Sequence, residues 1–211
     1  MHILALLAFL SELLPIVFYL VFFKRNKGEG LWVIFLYCIL SLLTEGLFGV
    51  TGGQQIVYSV FIIVQFTLFS FFFYSSLKGK RVKYVPIIGA IVFYAFAIAN
   101  FTNEHFDSIS ASLASVLIIP YCILLLYEQI KDPGTMFVYQ NKKFWVIIAF
   151  FLYFSATLFL YIYFSTLSEE QRNSYWIINN FFEILKNILF SVSFIMKKPD
   201  KSAFTMDALD T

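Results

Sequence analysis

Long apolar runs alternate with short polar segments along almost the whole chain. Each run is close to the roughly 20 residues that a helix needs to cross the hydrocarbon core of a bilayer. Runs so long and so uniformly apolar do not fit the strands of a membrane barrel, which alternate apolar and polar residues. The pattern therefore predicts an all-α integral membrane protein with seven transmembrane helices. The seven runs cover roughly residues 3–23, 31–50, 55–77, 84–101, 108–127, 143–166 and 175–196.

The composition favours the same class of protein. Hydrophobic residues make up 60% of the chain and charged residues only 13%, whereas about a quarter of the residues in a soluble domain are charged. The first run lacks the basic leader and small-residue cleavage site of a signal peptide and continues to Phe23, so we expect it to stay as a span. We expect residues 1–198 to form a single transmembrane domain and residues 199–211 a short cytoplasmic tail.

The basic residues predict the orientation in the membrane. Of the 15 lysines and arginines, 13 follow the first, third, fifth and seventh runs; Lys186 lies inside the seventh run and Arg172 on the opposite side. The positive-inside rule then puts the N-terminus outside and the C-terminus in the cytoplasm of a multi-pass cell-membrane protein, which is the inner membrane in a Gram-negative source. Anionic lipid headgroups account for these basic residues, so the sequence indicates the bilayer and not nucleic acid as a partner.

A three-helix unit occurs twice in the sequence, around a linker helix. Repeat A covers about residues 1–77, the linker about 84–101 and repeat B about 105–197. Both units have a proline in their first run, a Trp-Val-Ile sequence at the start of their second, and a Leu-Phe-Ser sequence in their third. The aligned pairs are Pro15 with Pro120, Trp32 with Trp145, and Gln65 with Lys186.

This 3+1+3 arrangement resembles the SWEET and PQ-loop family of seven-helix carriers. The family places a proline in the first helix of each unit, where Pro15 and Pro120 stand here. The Pro-Gln dipeptide of the family is absent, because isoleucine follows Pro15 and tyrosine follows Pro120, so the resemblance is one of architecture. It implies a carrier whose solute site lies near the midplane, between the two units. Seven-helix opsins and bacterial seven-helix sensor modules share the topology, so topology alone does not select a function.

The seventh run carries a polar stripe with a lysine near its centre. An ammonium in the middle of a membrane helix costs about 2.5 to 3.5 kcal/mol even on the lenient insertion scale, so Lys186 needs a partner or a wet cavity. Glu183 lies one turn away. The polar residues fall within roughly 160° of the helix circumference. They are Asn179, Asn180, Glu183, Lys186, Asn187, Ser191 and Ser193.

Three other runs carry polar residues that could face this stripe. Glu12 in the first and Gln65 in the third lie at a depth comparable to that of Glu183 and Lys186, and Glu45 in the second lies somewhat nearer the outside. Three carboxylates and one ammonium do not all stay ionised in a dry core, so we expect water in the bundle or protonation of one or two glutamates. The predicted ligand-binding or proton-binding residues are Glu12, Glu45, Gln65, Asn180, Glu183, Lys186 and Asn187.

Two functions fit this set. In the first, the chain is a small-solute carrier, proton-coupled through a glutamate, in which Lys186 holds an anionic or carbonyl group and Gln65 forms hydrogen bonds. In the second, it is a receptor or sensor subunit that binds a small ligand and signals through a separate cytoplasmic partner. A retinal protein is a weaker alternative, because the third run has no acid to serve as the counter-ion of a Schiff base at Lys186. The sequence has no HExxH motif and no serine-histidine-aspartate set, so we expect neither an enzyme nor a metal or cofactor site.

Overall fold

The computed structural model describes residues 2–51, 55–100, 107–131, 137–164 and 166–197. These residues form helices and connecting turns, and no strand occurs among them. The α-helices are α1 (His2–Ser11), α2 (Leu13–Val21), α3 (Phe23–Asn26), α4 (Trp32–Val50), α5 (Gln55–Ser76), α6 (Tyr84–Ala99), α7 (Ser108–Lys131), α8 (Lys142–Tyr163) and α9 (Glu169–Ile195), with a 3-10 turn at Val138–Gln140. The prediction of an all-helical chain is confirmed for this part.

Five helical segments of the described chain are long and apolar enough to cross a membrane. They are Ile3–Val21, Trp32–Val50, Ile56–Ser76, Ser108–Lys131 and Lys142–Tyr163. The remaining two predicted runs are also helical, but α6 has only 16 residues, and the polar stripe of α9 lowers its hydropathy. The chain is therefore a multi-pass membrane protein by length and composition, whereas seven spans and their orientation stay predictions.

Proline breaks the first span. Pro15 has no backbone N–H, so it leaves the carbonyl of Ser11 without the usual helical hydrogen bond. The helix is interrupted at Glu12, whose N–H bonds to the carbonyl of Phe9, three residues back, at 3.2 Å. In contrast, α7 runs without a break through Pro120. Only one of the two aligned prolines therefore accompanies a helix break.

The last helix begins about two turns before its apolar run. Ser168 caps α9, because its hydroxyl accepts from the N–H of Gln171 at 3.3 Å, while the Gln171 side chain accepts from the Ser168 N–H at 3.0 Å. This reciprocal capping box satisfies two backbone donors at the helix start. It explains why the helix reaches into the polar segment that hydropathy alone excluded.

Six helical segments close into a ring in chain order. The α1–α2 segment packs against α4, α4 against α5, α5 against α7, α7 against α8, α8 against α9, and α9 against α1 and α2. Helix α6 packs on α5 and α7 from outside, since Ile87, Ile88, Ile91 and Val92 on its other face are exposed. Both predicted triplets pack in the same order, but any ring gives this order, so the repeat stays a prediction.

Polar and apolar residues are distributed as a bilayer requires. Leu43, Phe159 and Ile188 are exposed on the outer surface of the ring, whereas Glu12, Lys186 and Asn187 are buried within it. A soluble protein shows the reverse distribution, because charged side chains are almost never fully buried in water-surrounded domains. The ring therefore presents its apolar side chains to lipid and encloses its charges.

Candidate functional site

The polar stripe of α9 faces the inside of the ring. Asn179, Asn180, Glu183, Lys186 and Asn187 are each at most 8% exposed. The apolar side of the same helix is turned outward, and its exposed residues are Ile177, Ile178, Phe181 and Ile188. The two faces are those that the helical period predicts.

Lys186 is the most completely enclosed charge of this stripe. Its ammonium lies 2.9 Å from a carboxylate oxygen of Glu183 and donates to the hydroxyl of Tyr37 at 2.6 Å. It also lies 5.0 Å from the ring centroid of Tyr37 and 4.5 Å from that of Tyr153, within the range of cation–π attraction. Glu183 and Lys186 belong to the same helix, and the ammonium joins this pair to α4 through the bond to Tyr37 and to α8 through the ring of Tyr153.

A second polar contact forms at the break in the first span. The hydroxyl of Ser41 donates to one carboxyl oxygen of Glu12 at 2.5 Å. The second oxygen of Glu12 is buried and has no hydrogen-bond partner in the part of the chain that the structure describes. Next to it, Asn187 donates to the hydroxyl of Ser11 at 2.8 Å. The broken helix is thus joined by polar contacts to α4 and to α9.

Tyrosines of α8 form a third contact with α9. The hydroxyls of Tyr153 and Tyr161 both lie within hydrogen-bond distance of the side-chain oxygen of Asn179, at 3.1 Å and 3.3 Å. The two hydroxyls are 3.2 Å from each other. The sequence did not identify Tyr37 or Tyr161 as site residues. Helical spacing could have indicated both, because Tyr37 lies four residues before the polar Ser41 and Tyr161 lies four residues after Thr157, on the same helical face in each case.

A cavity of about 880 Å³ lies inside the ring, and we call it the vestibule. Its lining comes from the end of the bundle where α4 and α8 finish and α5, α7 and α9 begin. Asn173, which is exposed, belongs to the lining, so the vestibule opens at this end. The polar lining residues are Tyr37, Ser41, Thr44, Glu45, Tyr58, Gln65, Ser108, Tyr153, Tyr161, Arg172, Asn173, Asn179, Asn180 and Glu183.

The vestibule divides the predicted site residues into two groups. Glu45, Gln65, Asn180 and Glu183 line it, whereas Glu12, Lys186 and Asn187 do not. On α9 the lining ends at Glu183, and Lys186 follows about one turn further along the helix. The predicted residues therefore form a polar floor of two layers, an upper layer that lines the vestibule and a lower layer that is buried beneath it. Glu183 joins the two layers, because it lines the vestibule and holds the ammonium of Lys186.

Beyond the floor the ring is filled by phenylalanines, which we call the aromatic layer. Its six residues are Phe69, Phe72, Phe73, Phe150, Phe190 and Phe194, each without exposed surface. Phe150 is its centre, with ring centroids 4.3 Å from Phe69 and 5.3 Å from Phe190. This packing separates the vestibule from the other end of the bundle.

The opposite end is closed by a polar network around Lys142, which we call the far-end network. The ammonium of Lys142 donates to the side-chain oxygen of Asn26 at 2.9 Å and lies 3.8 Å from a carboxylate oxygen of Glu29. Asn26 in turn donates to the carbonyl of Phe194 at 3.1 Å. Glu29 lies between Gly28 and Gly30, whose φ angles of 89° and 76° form a tight turn that favours glycine.

Lys142 is only 2% exposed. The sequence placed this lysine among the basic residues that meet lipid headgroups, and the structure instead buries it inside the bundle. The reason is tertiary: the turn after α3 folds back over the start of α8, so the ammonium meets Asn26 and Glu29. Its charge compensation is therefore supplied by protein groups.

Among the described residues, no group of three or more histidine, cysteine, aspartate or glutamate side chains is arranged so that it could hold a metal ion. Cys38 and Cys122 are free and buried, as expected for small apolar fillers. His105 lies outside the described residues. Comparison of the chain with protein-family models, curated proteins and solved structures finds no match, so its function must be inferred from the vestibule and its surroundings.

Proposed function

We propose that this chain is a carrier of a small polar solute in the cell membrane. In this proposal it has seven spans, with α1 and α2 forming the first, and α6 and α9 supplying the two that composition alone does not establish. The N-terminus is outside and the C-terminus is cytoplasmic, as the basic residues predict. The vestibule then faces the outside, and the far-end network faces the cytoplasm.

The observation that carries the proposal is the position of the charged floor. Ionisable residues inside a membrane bundle mark substrate or ion pathways by default, because they are costly to keep there. Here Glu45 and Glu183 line a cavity that opens at one end, while Glu12 and Lys186 lie just below it. A role as structural glue alone fits poorly, because a hydrogen bond between membrane helices contributes only about 0.6 kcal/mol on average.

The two ends of the bundle also differ in the way that alternating access needs. One end is open, and the other is closed by the aromatic layer and by the far-end network, whose hydrogen bonds can break and re-form. A solute that enters the vestibule meets Glu45, Gln65, Asn180 and Glu183. Lys186 fixes the charge of Glu183 from below instead of contacting the solute, and one of the glutamates carries a proton if transport is proton-coupled.

One observation favours a receptor or sensor subunit as the second candidate. The aromatic layer is closely packed below the vestibule, with Phe69 and Phe150 only 4.3 Å apart between ring centroids. A receptor needs a binding cavity and no passage through this layer. In that case the ligand changes the packing of α8 against α9, and a separate cytoplasmic partner recognises the change at the far-end network.

Binding and uptake measured on the same preparation distinguish these candidates. Solute pools are first screened for thermal stabilisation of the purified protein, and the bound solute is then offered, radiolabelled, to proteoliposomes with and without a pH gradient. Ala114 lines the vestibule and Ala95 is exposed on the outer face of α6. We expect Ala114→Trp to abolish binding and uptake and Ala95→Trp to preserve both.

The results of the binding and uptake measurements distinguish the carrier, the receptor and the location of the site. Uptake that Ala114→Trp abolishes supports the carrier. Binding that Ala114→Trp abolishes, without uptake by the wild type, supports the receptor. Binding that is equal in both variants refutes the vestibule as the site.

A further inference from the structure

Glu45 is the carboxylate of the vestibule that no other side chain holds. It is partly buried on α4 and lines the vestibule, and it forms no hydrogen bond or ion pair with the described part of the chain. Glu183 has Lys186 at 2.9 Å, and Glu12 accepts from Ser41. A carboxylate in a membrane span needs a partner, and Glu45 presents its own to the space that a solute enters.

Two aromatic rings stand next to this carboxylate. Phe48 lies one turn after Glu45 on α4. Tyr58, on α5, packs against Phe48, and the centroids of these two rings are 4.4 Å apart. Both rings line the vestibule, as do Phe164 and Trp176 on the other side. Aromatic faces near a carboxylate are the means by which proteins hold alkylated ammonium groups, because the rings attract a cation without the desolvation cost of a further full charge.

No lysine or arginine of the described chain forms an ion pair with Glu45. Lys186 lies below the floor and is bound to Glu183 and Tyr37. Arg172 lines the mouth, with its guanidinium over the ring of Phe164 at 4.8 Å. An anionic solute at the floor would add a second negative charge beside Glu45, whereas a cation would balance it.

The opposite wall offers groups for a polar substituent. Asn180 is 8% exposed and lines the vestibule, yet its amide makes no hydrogen bond to any described residue. Gln65, on α5, also lines the vestibule without such a bond. An amide that is nine-tenths buried and turned toward a cavity offers one acceptor and two donors to whatever fills it.

We propose that the vestibule binds an organic cation, whose ammonium group lies between Glu45 and the rings of Phe48 and Tyr58 and whose hydroxyl or amide group meets Asn180 and Gln65. This inference rests on the proposed binding of a small solute in the vestibule and names its chemical class. A cavity of about 880 Å³ lies within the range of sites for drug-sized ligands, roughly 300 to 1,000 Å³. The apolar body of the molecule would pack against Phe61 and Phe154.

A charge series on one molecular frame tests the class of ligand. The probes are 2-phenylethylamine, its N,N,N-trimethyl derivative, 2-phenylethanol and 3-phenylpropionate, whose dissociation constants are measured by calorimetry on the purified chain in nanodiscs. We expect the two cations to bind and the anion not to bind. Glu45→Gln keeps the shape and removes the charge, and should weaken the binding of 2-phenylethylamine by roughly tenfold to a hundredfold, the range for a lost hydrogen bond to a charged group. Glu170→Gln removes an exposed carboxylate that does not line the vestibule and should change the constants less than about twofold.

The outcomes separate this inference from the proposal on which it rests. Cation binding that falls in Glu45→Gln and is blocked in Ala114→Trp supports both. Stronger binding of the alcohol or the anion, blocked by Ala114→Trp but unchanged in Glu45→Gln, overturns the organic cation and leaves a solute site in the vestibule. Failure of all four probes to bind overturns the organic cation, while the solute-pool screen still decides whether the vestibule binds another class. Cation binding that Ala114→Trp leaves unchanged refutes the vestibule both as the site of the organic cation and as the site of the proposed solute.

Discussion

Replacing Lys186 by methionine tests whether the charged floor is a compensated pair or ordinary helix packing. The substitution removes the ammonium that lies 2.9 Å from Glu183 and 2.6 Å from the Tyr37 hydroxyl, but it keeps most of the side-chain volume. Glu183, 8% exposed, is then left as a buried carboxylate without a counter-ion. Breaking a buried pair in this way costs about 3–5 kcal/mol of folding free energy.

If the contacts of Lys186 are ordinary helix packing, the substitution should lower the folding free energy much less. Hydrogen bonds between membrane helices contribute about 0.6 kcal/mol on average, so the loss of the one such bond, from Lys186 to Tyr37, would cost less than about 1 kcal/mol. We therefore expect the free energy of unfolding of Lys186→Met, measured from tryptophan fluorescence in a detergent titration of bicelles, to fall by about 3 kcal/mol or more. Lys80→Met, at an exposed lysine of the loop before α6, is the control and should change it by less than about 0.5 kcal/mol.

The double variant Lys186→Met with Glu183→Gln completes the cycle. Both charges are then absent, and the remaining cost is the hydroxyl of Tyr37, about 1–3 kcal/mol for an unsatisfied buried group. The double variant should therefore be more stable than Lys186→Met alone, yet it should still fail to bind solute. The reasoning is refuted if Lys186→Met costs less than about 1 kcal/mol, or if the double variant binds solute like the wild type, because the pair would then be structural.

Three further predictions concern other parts of the bundle. On intact cells, a cysteine introduced at position 80 should not react with a membrane-impermeant thiol reagent, whereas a cysteine at position 170 should react. Both native cysteines are buried and should give little background. Labelling at position 80 would show that the orientation is the reverse. Lys142→Met should lower the unfolding free energy by about 3 kcal/mol or more, because Lys142 is 2% exposed and held by protein groups; a loss below about 0.5 kcal/mol would show that its charge is compensated by water or lipid. Gly89→Ala should destabilise the chain, because a Cβ there overlaps the Tyr121 hydroxyl, and adding Tyr121→Phe should recover part of the loss in the same melt; equal stability of the two variants would contradict this packing.

The helices and the polar face of α9 follow from the sequence because both depend on local periodicity. A run of about 20 apolar residues specifies a helix in lipid whatever surrounds it. The spacing of Asn180, Glu183 and Lys186 specifies one face of that helix, and the structure buries this face. The same argument, applied to Tyr37, Ser41 and Glu45 on α4, would have identified the face that meets Lys186.

The floor of the vestibule is not predictable in the same way, because it depends on contacts between distant segments. The sequence places Glu12, Glu183 and Lys186 at similar depths, but it does not tell which of them lines the cavity. That distinction arises from Tyr37, which takes a hydrogen bond from the ammonium across 149 positions of the chain and holds it below the lining. Burial of Lys142 likewise depends on a turn that folds Asn26 and Glu29 over another helix.

The break at Glu12 connects the vestibule floor to the far-end network through one segment of chain. Before the break, Ser11 is bonded to Asn187 beside the floor, and Glu12 to Ser41 at the vestibule wall. After the break, the same segment continues through α2 and α3 to Asn26, which binds both Lys142 and the carbonyl of Phe194. A solute that shifts the floor therefore acts on the start of a chain segment, α2 followed by α3, whose other end closes the bundle. Because Pro15 removes one backbone hydrogen bond at the break, bending there costs less than in a continuous helix. Carrier and receptor both require such a mechanical connection, and they differ in whether the aromatic layer then opens.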